Sequence, residues 1–185
     1  MVYFLVPDRR FGLLASKSAV LLADNLWNVM FYMHIILGGV ALLIGWLQFH
    51  KKLRARKIKI HKNIGKVYVL SVLLSAIAAM YIGFYATGGI IAKSGFITMA
   101  IAWFFTTLFG FTTIKKGKVM QHQKLMIYSY AICFAAVMLR IYLPIFIPLF
   151  GSFLSAYKLI AWLCWVPNLL VAYLIVKYQL KTKTT

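Results

Sequence analysis

Acid is nearly absent from this chain. Asp8 and Asp24 are the only carboxylates, against 21 lysines and arginines. With no Asp or Glu in the apolar stretches, paired-carboxylate glycosidase or aspartyl chemistry has nothing to work with. Carboxylate-bound metals and the Asp/Glu proton relays of pumps are excluded on the same ground. Cysteine is also scarce. Cys133 and Cys164 each fall inside an apolar run, without a neighbour at metal-ligand spacing, and read as inert buried thiols. No glycine-rich phosphate loop is present, no hydrolase or transferase constellation appears, and the first residues lack a cleavable-signal pattern.

What is abundant is apolar. Hydrophobic residues make up 63% of the 185, well above the half that is usual for soluble domains. Five stretches approach the roughly 20 apolar residues a spanning helix needs: Asn28–His50, Lys62–Phe84, Phe96–Ile114, Lys124–Phe146 and Lys158–Lys177. They are continuous and rich in Leu, Ile and Ala, so helices rather than barrel strands are expected. The fold class is therefore all-α, a polytopic transmembrane bundle of about five spanning helices. Residues 28–178 form it, 1–27 precede it and 179–185 are a basic tail.

The net charge of +19 would suggest nucleic acid in a soluble protein. Here the charges are topology signals and no nucleic acid is expected. Lys51, Lys52, Arg54, Arg56, Lys57, Lys59 and Lys62 crowd one loop, and Lys115, Lys116, Lys118 and Lys124 the next loop on that side. Lys177, Lys181 and Lys183 follow at the C-terminus, whereas Lys93 and Lys158 lie opposite. The positive-inside rule puts the basic loops and the C-terminus in the cytoplasm, where anionic headgroups attract them.

Five spans then leave the N-terminus outside. Phe11–Leu22 can lie in the interface as a short helix. Alternatively the chain starts late, and Met1–Val6 is the tail of a missing first helix. Gly38, Gly39, Ala41 and Gly45 in the first span and Ser71, Ser75, Ala76, Ala78 and Ala79 in the second suit close packing as an antiparallel hairpin. Spans three and four form a second hairpin. Thr87, Gly88 and Gly89 mark a turn, Pro144 and Pro148 are expected to end the fourth span, and Pro167 to kink the fifth. A weak repeat, basic loop then His then Tyr, opens spans two and four.

Polar groups inside the runs are the candidate functional residues. His34 lies about 9 Å into the first span and Arg140 about 24 Å along the fourth, so both fall in the outer half. Either His34 is a hydrogen-bonded packing residue and Arg140 snorkels to headgroups, or the two form an outer polar site. Near the basic side gather Gln48, His50, His61, Gln121 and His122. His61 and His122 open two spans that run in the same direction. They are either interfacial histidines or, if the helices are neighbours, the two axial ligands of a b-type haem.

Four segments carry a family resemblance: "FYMHIILGGVALLIGWLQF", "LRARKIKIHKNIGKVYVLSVLLSA", "ATGG…GFITMAIAWFFTT" and "HQKLMIYSYAICFAAVMLRIYLP". In that order they resemble the uncharacterised bacterial membrane family called domain of unknown function number 2306, over about Asn28 to Asn168. The matching positions are His34, Gln48-Phe49, His61 with Gly65 and Tyr68, His122 with Met126, Leu139-Arg140 and "AWLCWVPN". Tyr128 departs from the Arg often found in relatives, which weakens an anion-binding role there. Members usually carry another helix before the first span, which favours the late start. The resemblance implies a bacterial inner-membrane protein and candidate positions, not an activity. At fold level the layout is also similar to transmembrane b-type cytochromes.

Two functions follow as expectations. One is a membrane redox protein binding haem b or quinone, with His61 and His122 as ligands and His34 and Arg140 at an outer site. The other is a non-enzymatic small transporter, lipid-binding protein or accessory subunit, with His34, Arg140 and Asn168 lining a polar cavity or holding helices together.

Overall fold

A computed structural model describes residues 12–181. A short 3₁₀ turn, Gly12–Ser16, leads into α1 (Ala19–Ala23) and α2 (Asn25–Gly45), which a second 3₁₀ turn, Trp46–Phe49, extends. Then follow α3 (Lys51–Arg56), α4 (Ile58–Gly83), α5 (Gly89–Lys115), α6 (Val119–Cys133), α7 (Ala135–Phe150), α8 (Phe153–Leu163) and α9 (Val166–Lys181). Five segments are long and apolar enough to cross a membrane: Asn25–Phe49, Ile58–Gly83, Gly89–Lys115, Val119–Phe150 and Phe153–Tyr178. Helices satisfy their own backbone groups, as a bilayer interior demands. Among the described residues there is no strand.

Local chemistry sets the boundaries. Asp24 opens α2 by accepting the Trp27 N–H at 3.1 Å. Gly88 and Gly89 take φ of +107° and +68°, so the chain reverses tightly between α4 and α5. The fourth span begins at Val119 rather than near Lys124, which puts Gln121 and His122 inside α6. Pro144 and Pro148 do not end that span, because α7 runs through both to Phe150. The break in the fourth span comes earlier, at Phe134 between α6 and α7. The fifth span breaks just before Pro167, at Cys164 and Trp165 between α8 and α9.

The spans alternate in direction, so α3, the 116–118 turn and the end of α9 share one basic end. The first two spans form the expected hairpin, α2 on α4, and spans three and four form the second, α5 on α6. α4 also packs on α5, α5 on α8, α7 on α8 and α6 on α9. One core gathers Ala41, Tyr68, Val72, Ala76, Trp103 and Ile132; another holds Ala135, Ala156, Ile160 and Trp165. Small residues set the spacing. A Cβ at Gly95 would lie 2.8 Å from the Ala161 carbonyl oxygen, so α5 and α8 meet backbone to backbone. Leu43, Leu70, Leu170 and Val171 point outward and exposed. In water so much apolar surface would aggregate; in a bilayer it is the lipid face.

The described part of the N-terminal segment is a strap rather than a free interfacial helix. Leu14 and Leu22 are buried against Trp27 and Phe31. Lys17 donates from Nζ to the Tyr85 carbonyl and to Thr87 Oγ1, tying the strap to the α4–α5 turn. Phe11 and Met1–Val6, and with them the question of a missing helix, lie outside the described residues. Burial, and then the nearby Lys93 charge, lowers Lys17 from 10.5 to about 8. Between these values the unfolded chain keeps a proton that the docked strap has shed. Stability therefore rises as pH climbs from about 8 towards 10.5, and the lysine costs most below 8. We expect the unfolding midpoint to rise over that window more in the wild type than in Lys17→Met, as read by thermal denaturation in detergent.

Candidate functional site

One face of α4 organises the polar interior. His61, Gly65, Tyr68, Val72 and Ser75 recur at alternating four- and three-residue steps. The polar members are seven apart, so they lie nearly in line and about 10.5 Å from one to the next.

At the end away from the basic loops, Ser75 clasps the first span. Its Oγ donates to the His34 carbonyl at 3.0 Å and accepts from His34 Nδ1 at 3.0 Å. The Ser75 carbonyl, 3.2 Å from the same nitrogen, can only accept, so Nδ1 carries the proton. Gly38 makes room for this clasp, since a Cβ there would lie 3.2 Å from Ser75 Oγ. Arg140 lies within electrostatic reach of His34. It is exposed on α7, and its Nη1 donates to Ala136 O of its own helix at 2.6 Å.

In the middle, α4, α5 and α6 are joined by a buried chain of hydroxyls. Thr107 Oγ1 donates to the Trp103 carbonyl at 2.8 Å. Its contact with Ser129 Oγ at 2.6 Å must then run from serine to threonine. Tyr68 Oη, 2.8 Å from Ser129 Oγ, must in turn donate to the serine. Because the chain ends on a carbonyl, it is a clamp and not a proton wire. Gly45 lets α2 close over it: a Cβ there would lie 2.5 Å from Tyr130 Cε2 and 2.8 Å from Tyr68 Cε2.

Two turns nearer the basic end from Tyr68 and Ser129 come His61 and His122, each seven residues earlier on its own helix. The shared offset brings them to equal depth on facing sides, within electrostatic reach of each other. His122 Nδ1 donates to the Gly110 carbonyl at 2.7 Å, whereas His61 Nδ1 is buried without a partner. The space beside them is filled from both sides. Gln48 lies over Gly65, where a Cβ would be 3.2 Å from Oε1, and Met126 Sδ would be 2.8 Å from a Cβ at Gly110. Tyr68 and Ser129 join α4 and α6 through their hydroxyls two turns away. Among the described residues no group of three or more His, Cys, Asp or Glu gathers for a metal. Cys133 and Cys164 are free and buried.

The breaks in spans four and five lie side by side near the middle of both, and a groove of about 400 Å³ opens beside them. Phe49 closes it from the first span, Tyr130 and Phe134 line it from α6 and the α6–α7 break, and Asn168 and Val171 from α9. Asn168 stitches the breaks: Nδ2 donates to Ala131 O at 3.2 Å and Cys164 O at 3.0 Å. Both amide hydrogens are thereby used and Oδ1 is left as an acceptor. Tyr130 likewise commits its proton, to Leu42 O at 3.2 Å.

Of the residues singled out by sequence, His61 and His122 lie within electrostatic reach of each other, as do His34 and Arg140, and neither pair is hydrogen-bonded. Ser129 and Thr107 were missed. Single hydroxyls in apolar runs look like packing residues, and only the seven-residue step to His122 signals that Ser129 faces α4.

The fold defines a polytopic helical membrane protein. The family described as predicted membrane protein (DUF2306) matches residues 31–176, and the chain belongs to it. No curated protein and no solved structure matches.

Gly45→Ala drives a methyl into two rigid rings and should prevent stable folding or cost several kcal/mol, of the order seen for severe overpacking. Thr107→Val keeps shape but strands the Ser129 hydroxyl and should cost about 0.6–1.7 kcal/mol. Reversible unfolding in mixed micelles measures both.

Proposed function

We propose that this chain is a membrane-embedded binding protein for a lipophilic small molecule that carries a hydroxyl group, seated in the groove between α6 and α9. The observation that carries this reading is the pair of breaks, at matching depth in spans four and five, flanking a cavity. Discontinuous spanning helices near mid-bilayer are where membrane carriers build their sites. The groove's volume falls within the roughly 300–1,000 Å³ of small-molecule pockets.

The polar groups of the groove select the ligand's chemistry. Asn168 and Tyr130 have spent their hydrogens on backbone carbonyls and offer only oxygen lone pairs. A hydroxyl donor complements them, and a carbonyl would not. If the ligand is a quinone, its reduced, hydroxyl-bearing form is the one favoured. This corresponds to the non-enzymatic transport or lipid-binding reading, with Asn168 both holding helices and lining the cavity. The haem reading has less behind it, because Gln48 and Met126 crowd the glycines beside the two histidines. His34 and Arg140 belong in this account to packing and to the lipid boundary. The basic end, including the C-terminus, faces the cytoplasm by the positive-inside rule, and the family resemblance implies a bacterial inner membrane.

The test compares 4-heptylphenol with its methyl ether, 4-heptylanisole, by equilibrium binding to the protein in nanodiscs. The phenol should bind saturably and the ether about tenfold more weakly. Val171→Trp, which fills the groove without touching its hydrogen bonds, should abolish saturable binding. Equal partitioning of both probes, unchanged in Val171→Trp, would overturn the proposal.

A further inference from the structure

Near the basic end, two buried side-chain nitrogens have no hydrogen-bond partner. The Gln48 amide, on the 3₁₀ turn that ends the first span, rests over Gly65 of α4. Its Nε2 is buried without a hydrogen-bond partner. His61 is one turn nearer the end on the same face, and its Nδ1 is also buried without one. His122 faces it from α6, with Nδ1 already held by Gly110. α3 folds back on α4 and brings the Arg54 guanidinium within electrostatic reach of His61. Buried donors in native proteins nearly always find a partner, so orphaned neighbours point to one that the chain does not supply.

The missing partner cannot be a carboxylate of the described bundle. Asp24 is its one acid and caps α2 at the opposite end. Depth narrows the choice. His61 and His122 are each the fourth residue of their helix, about 5 Å from its start. The 26-residue α4 is about 39 Å long against roughly 30 Å of hydrocarbon, so this level is where headgroups begin. A group needed here has several acceptor oxygens, negative charge and residence at the interface.

We propose that Gln48, His61, His122 and Arg54 form a binding site for a phosphate group, carried by an anionic phospholipid or by a free phosphate in the adjoining water. Gly65 serves as the cradle's floor, since a side chain there would displace the Gln48 amide. Gln48 and His61 donate, and Arg54 supplies the balancing charge. His122 stands at the same level with its Nδ1–H held on Gly110. The site is independent of the groove beside α9.

The test uses the full chain by two routes. Native mass spectrometry from mixed micelles counts retained phosphatidylglycerol against phosphatidylcholine, and a thermal-shift titration with inorganic phosphate is run in phosphatidylcholine nanodiscs. Gln48→Glu is the informative variant, because it keeps the shape and puts a carboxylate beside His61. The wild type should retain phosphatidylglycerol, or show a saturable phosphate shift, at least about tenfold better than Gln48→Glu. Gln48→Glu should unfold no earlier than the wild type in phosphate-free buffer, and Lys158→Ala, a cation at the opposite end beside Gly88, should bind as the wild type does. Retained lipid with no phosphate shift identifies the headgroup as the source; a phosphate shift without retained lipid identifies the free ion. Equal binding by Gln48→Glu and the wild type in both assays, or none by either, would overturn the site.

Discussion

A bilayer interior offers no water, so each polar group that α4 turns inward must be answered by another helix. That constraint shapes the bundle. Ser75 is answered by His34 of the first span, and Tyr68 by Ser129 of the fourth and, through it, Thr107 of the third. The seven-residue spacing sets all three levels on one face. Each clasp fixes which residues of α2, α5 and α6 stand opposite α4, and the glycines at 38, 45 and 110 permit the approach. His61 is the level at which the pattern stops being satisfied from within. Its Nδ1 and the neighbouring Gln48 Nε2 have no partner in the chain.

Spans four and five follow a different rule. They are broken near their middles, and their freed backbone groups are met by a side chain rather than by helix continuation. Asn168 bridges Ala131 of one break and Cys164 of the other. Irregular backbone survives at this depth only when protein or a cavity covers it, and here both do. The fold thus separates a half joined by buried side-chain hydrogen bonds, α2 with α4 to α6, from a flank where α6 meets α9 and the groove opens.

Much of this was legible in the chain itself. Continuous Leu/Ile/Ala runs and basic loops give five spans and a shared basic end, because hydropathy and charge are summed over many residues. Thr87-Gly88-Gly89 gives its turn for the same local reason. The prolines misled. Pro144 and Pro148 lie within α7 because spanning helices accept proline where neighbouring helices or local backbone adjustments meet the freed carbonyl. The shared direction of α4 and α6 was readable from the order of the spans, but the hydroxyl chain from Tyr68 through Ser129 to Thr107 was not, because its members are distant in sequence. Asn168 stood out by resemblance, while its hydrogen-bond polarity needed coordinates.

The register of α4 on α6 is the central claim, and a double-mutant cycle of Tyr68→Phe with Ser129→Ala, read by reversible unfolding in bicelles, tests it most directly. The account predicts that the two losses overlap, with a coupling of about 0.6–1.7 kcal/mol. Costs that add to within about 0.3 kcal/mol would mean the two residues do not meet, and the aligned levels of His61 and His122 would fall with them.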